Sequence, residues 1–166
     1  MPIKVEIRMN AELMADFMVY HIFTSKRGMT AFALAALNLG FSVALAVRGN
    51  FPYAAMFFVI AVGIVLGFPK LVRSKTLKQM KASERLKEPV FYEFDEQGIR
   101  TTIGEESGKA SWGKFVKAVS YQNLVIIYDP EKRAIIMPRE QLASQYEAVV
   151  EMIRTHLPEG SVRIKK

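Results

Sequence analysis

Hydrophobic and polar positions alternate, then recur at helical spacing, then give way to two long stretches with no charge at all. Ile3, Val5, Ile7 and Met9 are interleaved with Lys4, Glu6 and Arg8, the period-two pattern of a strand with one buried face. Asn10 is placed to cap a helix whose apolar positions Leu13, Met14, Phe17, Met18, His21 and Ile22 share one face. Gly28 to Val47 then runs 20 residues without a charge, and Phe51 to Phe68 another 18, with only Arg48, Gly49 and Asn50 between them. As helices these runs reach about 30 Å and about 27 Å, enough for a bilayer's hydrocarbon core. Each strongly apolar residue near the centre of a span contributes roughly −0.3 to −0.6 kcal/mol to insertion. Thr30, Asn38 and Ser42 are the main polar costs. The pattern predicts two membrane-spanning helices, 28–47 and 51–68.

So short a connector makes the helices antiparallel neighbours and puts both chain ends on one side. Lys26 and Arg27 flank the first run; Lys70, Arg73, Lys75, Lys78, Lys81, Arg85 and Lys87 follow the second; the connector holds Arg48 alone. The positive-inside rule assigns both tails to the cytoplasm. Ala44-Leu45-Ala46 has the form of a signal-peptidase site, but the length of the run and the second span after it favour an uncleaved helix. Residues 69–88 read as a juxtamembrane linker, helical from Pro69. Glu84 is its one acid before Glu88, so Lys70–Lys87 carries a net charge of +6, almost all of the chain's +7.

From residue 89 the pattern is that of strands. Val90–Asp95 and Ile99–Ile103 flank a three-residue loop, Glu96-Gln97-Gly98, whose glycine suits a positive φ. A Gly104–Gly108 loop leads to Lys109–Trp112. Phe115–Tyr121, Leu124–Asp129 and Ala134–Met137 follow, and Pro138 opens a helix bearing Leu142, Tyr146, Val149, Val150, Ile153 and Leu157 on one face. Residues 89–166 alone make a marginal core. The N-terminal strand would enlarge it and cover a sheet edge. The expected organisation is one cytoplasmic domain drawn from 1–27 and 89–166, with the hairpin 28–68 inserted. Its class is membrane α+β: a small antiparallel β domain of about seven strands with a C-terminal amphipathic helix.

Composition narrows the chemistry. Among 166 residues there are two histidines and no cysteine, which excludes thiol catalysis and cysteine-based metal sites. His21 and His156 each lack a second ligand at metal spacing and read as structural. Asp95-Glu96 and Glu105-Glu106 fall in loops, where solvated charge is the plain explanation. Gly104–Ser111 superficially resembles a phosphate-binding loop but is one residue short and carries two repelling glutamates. No catalytic residue, metal site or cofactor is expected, and the chain does not read as an enzyme. Nucleic-acid binding is not expected either, because the basic linker lacks interleaved aromatics.

Three groups of candidates remain. Lys70, Arg73, Lys75, Lys78 and Lys81 are candidate contacts to anionic lipid, with a simple topology signal as the plainer reading. Ala36, Gly40, Ala44, Gly63 and Gly67 form small-residue stripes that suit close helix–helix packing, first of all between the two spans, or alternatively in a homo-oligomer. Asn38 falls on a different face. Trp112, beside Gly113 and Phe115, reads as a core anchor.

Several segments together suggest a family: Phe94-Asp95-Glu96-Gln97-Gly98-Ile99, Ser111-Trp112-Gly113-Lys114-Phe115, Leu124-Val125-Ile126-Ile127-Tyr128 and Ile135-Ile136-Met137-Pro138-Arg139. With the element order, they resemble the bacterial YcxB-like membrane proteins. That resemblance implies a pleckstrin-homology-like cytoplasmic domain, a bent sheet or partial barrel capped by the C-terminal helix, in the bacterial inner membrane. It brings no catalytic residues. The expected function is a non-catalytic binding or regulatory module whose partner is a protein or an anionic lipid. The alternative is a subunit of an oligomeric small pore or transport assembly.

Overall fold

The computed structural model describes residues 2–83 and 88–164; the linker's Glu84, Arg85 and Lys87 lie outside the described residues. The chain forms two compact units. One joins the residues up to Leu13 with those from Ala82 onward, and the other is Met14–Lys81. The division falls within the first helix, not at residue 27.

In the first unit, β1 (Ile3–Ile7) pairs antiparallel with β2 (Val90–Asp95), aligning Ile3 with Phe94 and Ile7 with Val90. The alternation in β1 has its physical cause here: Val5 and Ile7 are buried while Lys4 and Glu6 face out. β3 (Gly98–Ile103) and β4 (Glu106–Ser111) complete an antiparallel sheet of order β1-β2-β3-β4. Two loops are tighter than expected. Asp95 pairs directly with Gly98, leaving Glu96-Gln97 as the turn, and Ile103 pairs with Glu106 across Gly104-Glu105. At Gly98 the decisive constraint is space. A Cβ there would sit 2.1 Å from the Ala110 carbonyl oxygen, so β4 approaches as closely as it does only because none exists. Gly104, with φ +55°, is the glycine that supplies the left-handed conformation.

The second sheet has the order β7-β6-β5-β8, from β5 (Lys117–Tyr121), β6 (Leu124–Tyr128), β7 (Ala134–Pro138) and β8 (Val162–Arg163). β8 is an eighth strand that the pattern does not announce, two residues pairing parallel with Ala118 and Val119. β6 is buried at every position. Core residues come from both sheets, Ile7, Phe94 and Ile99 from one and Val125, Ile127 and Met137 from the other, joined by Val149 and Ile153 of the last helix.

That helix is not continuous. α5 (Arg139–Leu142) ends at Ala143, which has φ +45° and ψ −123°, and α6 (Tyr146–His156) follows a 3-10 turn. The break leaves α5 packed on β1 and β7. Gln141 on α5 bonds the Arg8 backbone in both directions: its Oε1 accepts from the Arg8 N–H at 2.6 Å, and its Nε2 donates to the Arg8 carbonyl at 2.8 Å.

The second unit is helical. α1 (Ala11–Phe23) begins where the Asn10 side chain accepts the Leu13 N–H at 2.8 Å. α2 (Lys26–Val47) is capped by Ser25, and Gly28 sits where a Cβ would lie 2.3 Å from the Ile22 carbonyl oxygen, so the end of α1 closes against α2. α3 (Phe51–Val62) continues through a π-helical turn (Gly63–Gly67) into α4 (Phe68–Lys81). The linker helix therefore does not start at Pro69; one helical run extends from Phe51 to Lys81. Proline lacks an N–H, and its ring crowds the carbonyl four residues back, here Val65. A widened turn over that carbonyl accommodates the proline without breaking the helix. Gly28–Val47 and Phe51–Lys81 are each long and apolar enough to cross a membrane.

Candidate functional site

The candidate residues fall into three groups with different geometry. On α4, Lys70, Lys75, Lys78 and Lys81 are exposed and form no ion pair among the described residues. Arg73 stands apart from them. It is half-buried, and its guanidinium meets the Asp16 carboxylate of α1 at 3.2 Å. Helical spacing explains the split, because Arg73 points with buried Thr76 toward the protein while the four lysines spread over the opposite arc. The structure brings together four of the five basic candidates.

The helix pair corrects the expected packing of the spans. Buried along the α2–α3 contact are Ala35 and Ser42 on one helix and Ala54 and Ala61 on the other, each pair seven residues apart. Half-buried Ala31, Asn38, Leu45, Phe57 and Ile64 fill in the three- and four-residue spacing of a left-handed seam. Ala36, Gly40 and Ala44 sit one or two positions off that seam and are exposed, and a Cβ at Gly40 would meet nothing within 4 Å. Gly63 and Gly67 bound the π turn and have the same open surroundings. Ala36, Gly40 and Ala44 therefore lie off the packed face of α2; one-residue displacement on a helix is a 100° rotation, enough to change the face entirely.

Asn38 lies on the seam, a different face from the Ala36–Gly40–Ala44 stripe, and donates from Nδ2 to the Leu34 carbonyl at 2.8 Å. Ser42, which the sequence reading counted only as a cost, donates to the Ala54 carbonyl of the facing helix at 2.8 Å. Its signal in the sequence is the seven-residue step from Ala35. The Phe41 and Phe57 rings meet across the same contact, tilted by 38° with centroids 5.5 Å apart. The large apolar side chains point the other way: Leu37 is 56% exposed, Val59 67% and Leu66 59%.

In the strand unit, Trp112 is buried and its Nε1 donates to the Asp95 carbonyl at 2.8 Å. Phe94 and Phe115 flank it, and the His156 ring stacks on it at 4.8 Å with 16° between planes. His156 thereby ties the end of α6 to the β2–β3 turn, one ring nitrogen 2.9 Å from the Met152 carbonyl and the other 3.1 Å from a Glu96 carboxylate oxygen. The Asp95 carboxylate accepts from Lys109 Nζ at 2.7 Å and from the Gln97 and Gly98 N–H groups. The lysine hydrogen bond, with those from the backbone, holds the Asp95 carboxyl below the usual carboxylate range. Burial pushes the Tyr92 phenol up to about 12, so it stays neutral. Glu105 occupies a turn and Glu106 opens β4, so Gly104–Ser111 is a hairpin arm. Among the described residues no three His, Cys, Asp or Glu side chains gather as they would around a metal ion.

A further grouping was not legible in advance. The β5–β6 turn, Gln122-Asn123, meets the start of α5: the Arg139 N–H donates to the Asn123 carbonyl at 2.7 Å, and the Arg139 guanidinium lies 4.3 Å from the centroid of the Tyr146 ring. A cleft of about 380 Å³ opens beside them. Its parts come from segments some 20 residues apart, with no local motif to announce it.

Residues 94–153 match the family model described as YcxB-like protein. That segment, 60 of the chain's 166 residues, is similar to the YcxB-like family. The match begins at Phe94 in β2 and ends at Ile153 in α6, so the matched segment contains Phe94, Trp112 and Phe115 and the Arg139 cleft, but neither His156 nor either apolar helix. No curated protein and no solved structure matches the chain.

Proposed function

We propose that this chain is a bacterial inner-membrane protein whose α2–α3 hairpin anchors a non-catalytic, pleckstrin-homology-like binding or regulatory domain at the cytoplasmic face. One observation carries the anchoring: the two long helices bury alanine and serine against each other and turn leucine, valine and phenylalanine outward. In water that arrangement is inverted; in lipid, where helix association depends on close packing and not on hiding apolar surface, it is the expected one. The four exposed lysines of α4 support an inward-facing linker, because each is worth about 1 kcal/mol beside anionic lipid.

Two largely antiparallel sheets, packed with a C-terminal helix around one core, support the pleckstrin-homology-like reading of the domain. Fold alone names no partner. The test is alkaline carbonate extraction together with protease access in right-side-out and inverted membranes. The protein stays in the pellet and both tails are cut only in inverted membranes; release by carbonate, or cleavage of either tail from outside, overturns the reading.

A second reading has an observation of its own. Ala36, Gly40 and Ala44 face away from the partner helix, the surface on which a second hairpin would seat in an oligomeric pore or transport assembly. Crosslinking in native membranes separates the two: higher-order species support the assembly, and a single monomeric band rejects it.

A further inference from the structure

We propose that the cleft between the β5–β6 turn and the α5–α6 corner binds the carboxylate or phosphate group of a small organic anion, with Arg139 as the anchoring cation. The inference rests on reading the domain as a binding module and names the chemistry of its ligand. The cleft, about 380 Å³, falls within the range of small-molecule sites. Ser120, Tyr121, Gln122, Asn123 and Tyr146 line it with hydroxyl and amide groups, and Arg139 is the one charged side chain among the lining residues.

Arg139 forms no ion pair among the described residues, although Glu140 is its chain neighbour. The Glu140 carboxylate instead accepts from Asn123 Nδ2 at 2.7 Å, so the acid next in sequence is engaged by a neutral amide. A guanidinium presents a planar fork that matches carboxylate and phosphate oxygens in pairs.

The site is also held in place before any ligand arrives. The Arg139 backbone N–H is tied to the Asn123 carbonyl at 2.7 Å, and the guanidinium rests over Tyr146. Both restraints reduce the ordering cost of binding. Gln122, at the rim, has φ +48°, a left-handed conformation costing on the order of 1–3 kcal/mol in a residue other than glycine, as is common where a loop is shaped for recognition. The Gln122 amide at the rim offers a neutral hydrogen bond beside the guanidinium, which favours a polar ligand over a hydrophobic one.

The test uses the full chain in detergent, titrated separately with malonate and with inorganic phosphate while Arg side-chain Nε–H resonances and binding heat are followed. At least one probe saturates and shifts the Arg139 resonance; which one it is distinguishes a carboxylate from a phosphate ligand. Arg139→Gln weakens that binding about tenfold or more, the usual worth of a charged hydrogen bond. Arg139→Lys, which keeps the charge without the fork, gives a smaller loss, and Lys114→Gln, a charge change at an exposed position outside the cleft and outside α4, leaves binding unaltered. Equal binding by Arg139→Gln and wild type, or no saturation with either probe, overturns the site. Those results leave the membrane-module reading standing, because carbonate extraction and protease access decide that independently.

Discussion

The two units of this protein solve opposite packing problems with the same alphabet. In the strand unit the largest apolar side chains are innermost: Phe94, Ile7, Ile99, Ile127 and Met137 are almost fully enclosed, and lysines and glutamates face out. In the helical unit the sense is reversed, with Ala35, Ser42, Ala54 and Ala61 inside and Leu37, Val59 and Leu66 outside. Burial of large side chains is the dominant stabilisation available in water. Where the surroundings are themselves apolar, as the proposed membrane setting requires, large side chains gain nothing by turning inward, and close backbone approach over small residues takes that role. Identical residue types thus carry opposite meanings in the two halves.

The comparison can be broken most directly at β1. Deleting residues 2–9 removes the burial of Val5 and Ile7 and the ladder to β2, at about 3–6 kcal/mol for the two side chains alone. The expected outcome is rapid proteolysis of the segment from residue 89 onward with no loss from the membrane fraction. Undiminished protease resistance would show that the sheet does not need its N-terminal strand.

Next in size is a matched pair of truncations. Phe94→Ala costs about 3–5 kcal/mol of strand-unit stability, as is usual for a fully buried aromatic. Leu37→Ala, on the outer face of α2, changes stability by no more than about 0.5 kcal/mol. Denaturant titration of the two variants, read by intrinsic fluorescence from Trp112 for the first and by protease protection of the hairpin for the second, checks the contrast. Comparable losses would abolish the distinction between the units.

The seam sharpens it. Ala61→Leu forces α2 and α3 apart at about 1–3 kcal/mol, although the same exchange adds hydrophobicity. Ser42→Ala forfeits the bond to the Ala54 carbonyl, about 0.6 kcal/mol in helical membrane proteins. Gly40→Leu, where a Cβ meets nothing, leaves the pairing of α2 with α3 intact. Cysteine pairs across the seam, scored for crosslinking yield, rank the three. An equal loss from Gly40→Leu and Ala61→Leu would put the contact on the wrong face.

The smallest effect is electrostatic and confined to the strand unit. The Asp95 carboxyl lies below its unfolded value because Lys109 and the turn's N–H groups favour the charged form. Its contribution is therefore complete above the ordinary carboxylate range and is lost as pH falls through the lowered native value. Stability of wild type and Asp95→Asn is expected to converge as pH drops below about 4, the model carboxylate range, and to separate above it. Parallel curves across that window would remove Asp95 from the acid limb.

How much of this was legible beforehand differs by element. The β1 alternation, the Asn10 cap, both apolar runs and most strands follow from periodicity, because each depends on residues a few positions apart. The missed features share another character. β8 is only two residues long and exists because β5 has an edge to offer; the break at Ala143 goes with Gln141 reaching back to Arg8. The small-residue stripe was visible, yet which of two adjacent stripes faces the partner helix is a question of rotation about the axis, and composition at one-residue offset hardly distinguishes them. Arg73 could not be separated from the lysines until Asp16 on another helix was in view.

By itself the order of residues determined where helices and strands form and which stretches are too apolar and too long for an ordinary soluble core, since propensity, capping and hydrophobic period act over one or two turns. Only the tertiary structure decided which face of each helix is inner, which acid meets which base, and that Arg139 stands over a ring beside an open cleft. Those outcomes depend on contacts between segments far apart in the chain, whose free energy exists only once the chain has brought them together.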